Sequence, residues 1–384
     1  SAASDVYKRQ AQGGAGGRSA SPTTSRTRGR RAVVYPHCVS ASTMPSTSPS
    51  ARSAVSGSRV PGAAGREHGI DQIRGMAVLL VVIAHVRSIP IGVGVDVNSE
   101  LLVMFTKEFH TFRMPVLLVL SGLLLGRSLH KPLSTYYRGK AEKILWPFLV
   151  WAAITAFAQA APERLLVTPG RYLLGGPWHL WFLWVLLACY LVGPVVRWVP
   201  AWLLVPAMLA GALALGKDGP EWLLDPLFWG AFFFLGAALG SRLDSVRRLP
   251  WPVVVAAAVW ALAAVTLHST SAEFLYISPA RPIVAFLGPL GAVVVVLWAS
   301  GRLPRFPLFE FVGRRSMVMY VAHVPVIMVI SLVLGDWAVG HRWHFYALTG
   351  LAAVCVPLLL AVAYRPLRWL FEAPTSGLGS RCAP

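Results

Sequence analysis

Long apolar blocks recur along the chain from Ile73 to Tyr364, broken by short stretches rich in Gly, Pro and basic residues. Each block is about long enough to cross the roughly 30 Å of a bilayer's hydrocarbon at 1.5 Å per residue. Segmentation on this pattern predicts ten spans, at 73–95, 102–126, 144–161, 178–196, 201–216, 224–240, 251–268, 282–300, 316–335 and 345–364. Turn residues punctuate the junctions, as in GGPW and KDGP. The fifth and sixth spans are the shortest, and Pro206 interrupts the fifth. The expected fold is all-α, a polytopic integral-membrane helical bundle.

Composition strengthens this reading. Hydrophobic residues make up 55% of the 384 and charged residues only 13%, where a soluble domain carries about a quarter charged. Mean hydropathy is +0.59. Of the 15 tryptophans, Trp146, Trp178, Trp222, Trp251 and Trp343 fall near segment ends. Amphipathic rings favour the membrane–water boundary there.

The net charge of +19 would suit nucleic acid if it were gathered on one surface. Instead, residues 1–66 hold ten Lys or Arg against Asp5 alone, and the remainder lies in short loops. One alternate set comprises 127–143, 197–200, 241–250, 301–315 and the C-terminal tail, with sixteen Lys or Arg. The opposite set has six: Arg87, Arg164, Arg171, Lys217, Arg281 and Arg342. That bias predicts both termini in the cytoplasm and argues against a nucleic-acid partner. A bacterial plasma (inner) membrane is the expected location. No internal repeat is evident, which weakens an inverted-repeat transporter reading.

Residues 1–66 are rich in Ser, Gly, Ala, Arg and Pro and read as a disordered basic segment. The first Met is Met44, so part of this segment is expected to be non-native. Its Arg-rich, acid-poor character also resembles an organelle transit peptide. The membrane domain is expected at 67–370, with a short tail at 371–384. The four cysteines, Cys38, Cys189, Cys355 and Cys382, show no paired spacing, so neither a disulfide framework nor a metal site is expected.

Two ionisable residues stand out in the first span, GIDQIRGMAVLLVVIAHVRSIP at 69–90. Arg74 and His85 are eleven residues apart; at 100° per residue they share a helix face, about 16 Å apart along the axis. Intramembrane ionisable groups face a protein interior or a wet cavity. One reading makes Arg74 an interfacial anchor and His85 a hydrogen-bonded packing residue. The other makes His85 a base in a buried cavity, since a neutral imidazole accepts a proton. Gly75, Ala77 and Ala84 would admit close helix neighbours.

Asp71, Arg74, Gly75, Ala77, Val81 and His85 together resemble the opening motif of the acyltransferase-3 family of integral-membrane acyltransferases. Further segments follow in the family's order: FRMPVLLVLSGLLLGR (112–127), YYRGKAEKILWPFLVW (136–151), GPWHLWFLWVLL (176–187), VGRRSMVMYVAHVPVI (312–327) and RPLRW (365–369). The resemblance covers about residues 69–370. Departures occur at FRMP, where Arg113 replaces a common His with His110 three residues earlier, and at Met317, where an aromatic residue is common. They bear on the acceptor more than on the reaction.

The resemblance implies transfer of an acyl group, by family default acetyl, from acyl-coenzyme A to a hydroxyl of a sugar, envelope polysaccharide or glycolipid. Acyl-coenzyme A is then a co-substrate, with no permanently bound cofactor. His85 is the implied base, and Arg74 is placed to grip a donor phosphate. The basic loop and the cationic edge of the ninth span, with Arg138, Arg314 and Arg315, serve topology or donor attraction equally well. Arg113, His179, Tyr320, His323 and Ser121 are candidates for the acceptor side. Ser121 also fits simple close packing, and Tyr320 with His323 a packed pair three residues apart. A transporter of a sugar or lipid-linked intermediate is the alternative reading.

Overall fold

A computed structural model describes residues 67–97, 99–159, 169–176, 178–270 and 282–374. The expectations for residues 1–66 and for the end of the tail from 375 lie outside these residues. The described chain folds into helices: α1 (His68–Gly92), α2 (Glu100–Gly122), α3 (Leu133–Lys140), α4 (Trp146–Ala158), α5 (Trp181–Val192) and α6 (Ala201–Leu215). There follow α7 (Glu221–Leu239), α8 (Trp251–Thr270), α9 (Pro282–Leu287), α10 (Leu290–Ala299), α11 (Pro307–Arg314), α12 (Ser316–Gly340) and α13 (Arg342–Val362). Helix is what a lipid solvent demands, because it satisfies backbone N–H and C=O groups within one segment.

Seven helical stretches are long and apolar enough to cross a membrane: 68–92, 112–129, 133–158, 221–247, 282–299, 316–340 and 342–362. Three shorter apolar helices, at 181–192, 201–215 and 251–267, correspond to the fourth, fifth and seventh expected spans. The protein is thus a helical membrane protein.

Without water to drive apolar association inside a bilayer, close backbone approach and hydrogen bonds decide which helices pair. At the α1–α11 crossing a Cβ on Gly313 would stand 1.7 Å from the Asp71 carbonyl oxygen, and one on Gly75 would stand 2.1 Å from that of Phe309. The α2–α7 crossing repeats the device: a Cβ on Gly122 would lie 1.8 Å from the Phe233 oxygen. Only glycine permits backbones this near. These crossings put α2 and α7 in the core, where Leu118, Phe228, Phe232 and Phe233 are fully buried.

One end of the bundle gathers the basic stretches. Glu67 pairs with Arg247 at 2.5 Å and with Arg127 at 3.7 Å. Gln72, buried at the start of α1, accepts from the Phe306 backbone N–H at 2.7 Å. Glu310 takes hydrogen bonds from Arg314 at 2.6 Å and His68 at 2.8 Å, and the His68 bond holds its carboxyl below the usual carboxylate range. Three of the five expected basic loops, at 127–143, 241–250 and 301–315, therefore meet beside the start of α1 on one face of the molecule. We call it the basic end.

Candidate functional site

Between α3 and α4 the helix loosens into a π turn, Ala141–Leu145. In that register the Glu142 carbonyl would need a donor at residue 147, which is Pro147 and has no N–H. The Ala373 N–H supplies it instead, at 3.1 Å. The end of α3 and this irregular turn present Gly139, Lys140, Lys143 and Ile144 to a cavity of about 220 Å³. Arg74, Ser121, Leu124, Tyr190, Ser316 and Met317 complete its rim at the basic end; Val78, Leu117, Phe182, Leu183, Leu186 and Tyr320 line the interior. From Tyr190 to Phe182 along α5 is a depth of about 12 Å at 1.5 Å per residue. The cavity has a cationic mouth and an apolar bottom.

Second-layer contacts hold that mouth. The Arg74 guanidinium donates to the Leu120 carbonyl at 3.3 Å and lies 3.7 Å from Asp71. Lys140 Nζ sits 3.5 Å from the centre of the Tyr190 ring, a cation–π distance. Tyr190 donates to the Ser121 carbonyl at 3.1 Å, while Tyr136 donates to the Tyr190 carbonyl at 2.8 Å. Ser121 Oγ bonds back to Leu117 at 2.7 Å within its own helix.

Beyond the bottom of the cavity stand three histidines. His323 on α12 has Nδ1 2.9 Å from the Met319 carbonyl one turn earlier. A carbonyl can only accept, so Nδ1 carries the proton and Nε2 a lone pair. That lone pair faces His85 Nδ1 at 2.9 Å. For two neutral rings, His85 therefore donates through Nδ1, which leaves its Nε2 free to take a proton. The chain Met319 carbonyl, His323, His85 sets one tautomer at each step.

His179 is fixed by a different device. Pro325, one turn after Val321 on α12, has no N–H to give the Val321 carbonyl. The His179 Nε2 takes that place at 3.3 Å, so its Nδ1 is the lone-pair nitrogen, buried and with no hydrogen-bond partner. The His179 ring centroid lies 5.5 Å from that of His323 and 5.6 Å from that of Tyr320. Tyr320 donates its hydroxyl to the His179 carbonyl. Arg113 on α2 is near enough for its charge to act on His85.

The structure thus draws His85, His179, Tyr320 and His323 together, with Arg113 alongside, and places Arg74 and Ser121 on the cavity below. Three expected donor residues sit elsewhere. Arg138 is exposed and pairs with Glu142 at 2.7 Å, Arg314 pairs with Glu310, and Arg315 stacks on Tyr364 at 4.0 Å. None of the three lines the cavity. The side chain of His110 lies outside the described residues. Lys140, Lys143, Tyr190 and Phe182 went unnamed in the sequence reading. The two lysines were visible there as a pair three apart ahead of Pro147, but their aim depends on the π turn.

Comparison with known proteins adds an independent line. The family model of an acyltransferase domain, acyltransferase-3, matches residues 67–362. The nodulation protein NolL of Mesorhizobium japonicum is 22% identical over 348 residues, which cover 82% of this chain and 91% of its own. NolL of Sinorhizobium fredii is 31% identical over 144 residues, 35% of this chain and 38% of its own. No solved structure matches.

Proposed function

Because the chain belongs to the acyltransferase-3 family of membrane acyltransferases, we propose that it moves an acetyl group from acetyl-coenzyme A to a carbohydrate or glycolipid hydroxyl, with His85 as general base. In this reading the basic end faces the cytoplasm, ten helices cross the bilayer, and the donor enters through the cationic mouth. Lys140, Lys143 and Arg74 meet its phosphates, for which cationic donors are the natural partners. The apolar interior takes the pantetheine arm and brings the thioester toward Tyr320.

The acceptor hydroxyl comes to the histidines from the opposite side. His85 Nε2 removes its proton as the oxygen attacks the thioester carbon. The C–S bond breaks as the new ester forms, and the proton passes from His85 to the departing sulfur, giving free coenzyme A. The fixed positive charge of Arg113 offsets the negative charge that develops on the carbonyl oxygen. Preorganised charge of this kind is worth about 10²–10³ in rate, and a placed base about 10²–10⁴. His179 Nδ1, an acceptor without a donor, would hold a second hydroxyl of the sugar.

A single observation supports this reading most: Tyr320 belongs both to the wall of the cationic cavity and to the histidine cluster. The cavity that would take the donor and the cluster that holds His85 therefore share a residue. The test supplies purified protein in lipid with acetyl-coenzyme A and envelope glycolipid extract. Coenzyme A thiol should appear only when the extract is present, with an acetyl increment on one of its components. Movement of the glycolipid across sealed vesicles without any donor, and no thiol release, would instead mark a transporter.

A further inference from the structure

The bottom of the donor cavity is made of two aromatic rings. Phe182 on α5 and Tyr320 on α12 have centroids 5.2 Å apart, inclined at 55°. Both line the cavity, and both are largely buried, with Phe182 8% and Tyr320 3% exposed. Tyr320 is tethered through its hydroxyl to the His179 carbonyl. Phe182 also meets the Trp181 ring edge-on, and Trp181 in turn meets Trp229 at 5.1 Å. Leu183 and Leu117, beside them on the cavity wall, are 0% and 3% exposed. An acyl chain that continued past the thioester would run into rings held from behind.

From this wall we infer that Phe182, backed by Tyr320, limits the transferred acyl group to a short chain. The inference rests on the proposed donor site and assigns a residue to its specificity. Phe182 is a specificity-determining residue in this account; it takes no part in proton transfer. The physical consequence has a sign that can be measured. In an open apolar pocket each added methylene improves binding, by about fourfold. Against a closed wall an added methylene must displace packed side chains, and pockets discriminate single methylenes by roughly 10–200-fold. A wall therefore reverses the chain-length trend that burial alone would give.

The experiment uses the full-length protein in detergent or nanodiscs with unreactive coenzyme A thioethers: S-ethyl, S-butyl and S-hexyl. Their affinities are measured by calorimetry, so no acceptor is needed. The wild type should bind the S-ethyl compound at least tenfold more tightly than the S-hexyl. In Phe182→Ala the difference should shrink to threefold or invert. Phe182→Leu, which keeps most of the volume and guards against a folding failure of the alanine variant, should fall between. Wild-type affinity that rises steadily from ethyl to hexyl overturns the inference, as does an unchanged ranking in both variants. Coenzyme A and all three thioethers failing to bind the wild type would remove the donor site itself, and the length limit with it.

Discussion

A histidine becomes a useful base when its partners settle which nitrogen is bare. Here two backbone carbonyls of α12 do that. The Met319 carbonyl takes the His323 proton and so orients His85, and the Val321 carbonyl, left open by Pro325, takes the His179 proton. His323 is then a positioning residue. Its replacement by Gln keeps an acceptor oxygen for His85 Nδ1, whereas Leu offers none. We expect His323→Leu to lower kcat by about 10²-fold, in the range of a misplaced general base, with KM for acetyl-coenzyme A little changed. His323→Gln should recover much of that loss. If both variants depress kcat equally, His323 serves packing alone.

How much of this was legible beforehand differs residue by residue. Arg74 and His85 stood out because ionisable groups inside apolar runs are rare, and helical spacing put them on one face. His323 and Tyr320 were visible for the same reason. Their meeting with His85 was not, since it joins residues 238 apart in sequence, a pairing that no local period encodes. Likewise Arg138 is a candidate donor ligand within a basic loop, and the structure pairs it with Glu142, four residues on. Within that loop, sequence fixes charge and the π turn fixes aim.

At the scale of the helix, glycine placement governs the cavity. Gly122 at the end of α2 lets α7 approach until a Cβ would overlap the Phe233 oxygen. Gly122→Ala must push the helices apart or bend one, at a cost near the upper end of overpacking, about 3 kcal/mol. Gly126→Ala, four residues on in open space, should be close to neutral. Thermal unfolding in one detergent distinguishes them; equal midpoints would show that the α2–α7 crossing yields easily. Helix existence was evident from hydropathy: helix covers each of the ten expected spans, the eighth as two pieces, and seven helical stretches are long and apolar enough to cross a membrane. Breaks such as the π turn at 141–145 were not evident, because they arise from a proline whose missing donor is replaced from far along the chain.

For the whole molecule, the proposed function has donor and acceptor reach the site from opposite ends of the bundle. Loops that are distant in sequence converge on the basic end through Glu67, Arg247 and Glu310. In a background with the native cysteines replaced, cysteines at Ser128 and at Gly340 should react with an impermeant thiol reagent from opposite sides. Labelling of both from the same side would refute the proposed orientation. Donor and acceptor would then meet only at the ring of Tyr320 and the histidines beyond it.

The most direct test of that meeting point is the rate of acetyl transfer by His85→Ala, reconstituted in lipid beside the wild type with the same donor and glycolipid extract. The account predicts a fall of at least about 10²-fold in kcat, with an unchanged thermal midpoint and unchanged affinity for S-ethyl-coenzyme A. A folded variant that binds donor and still transfers acetyl within threefold of the wild-type rate would contradict it.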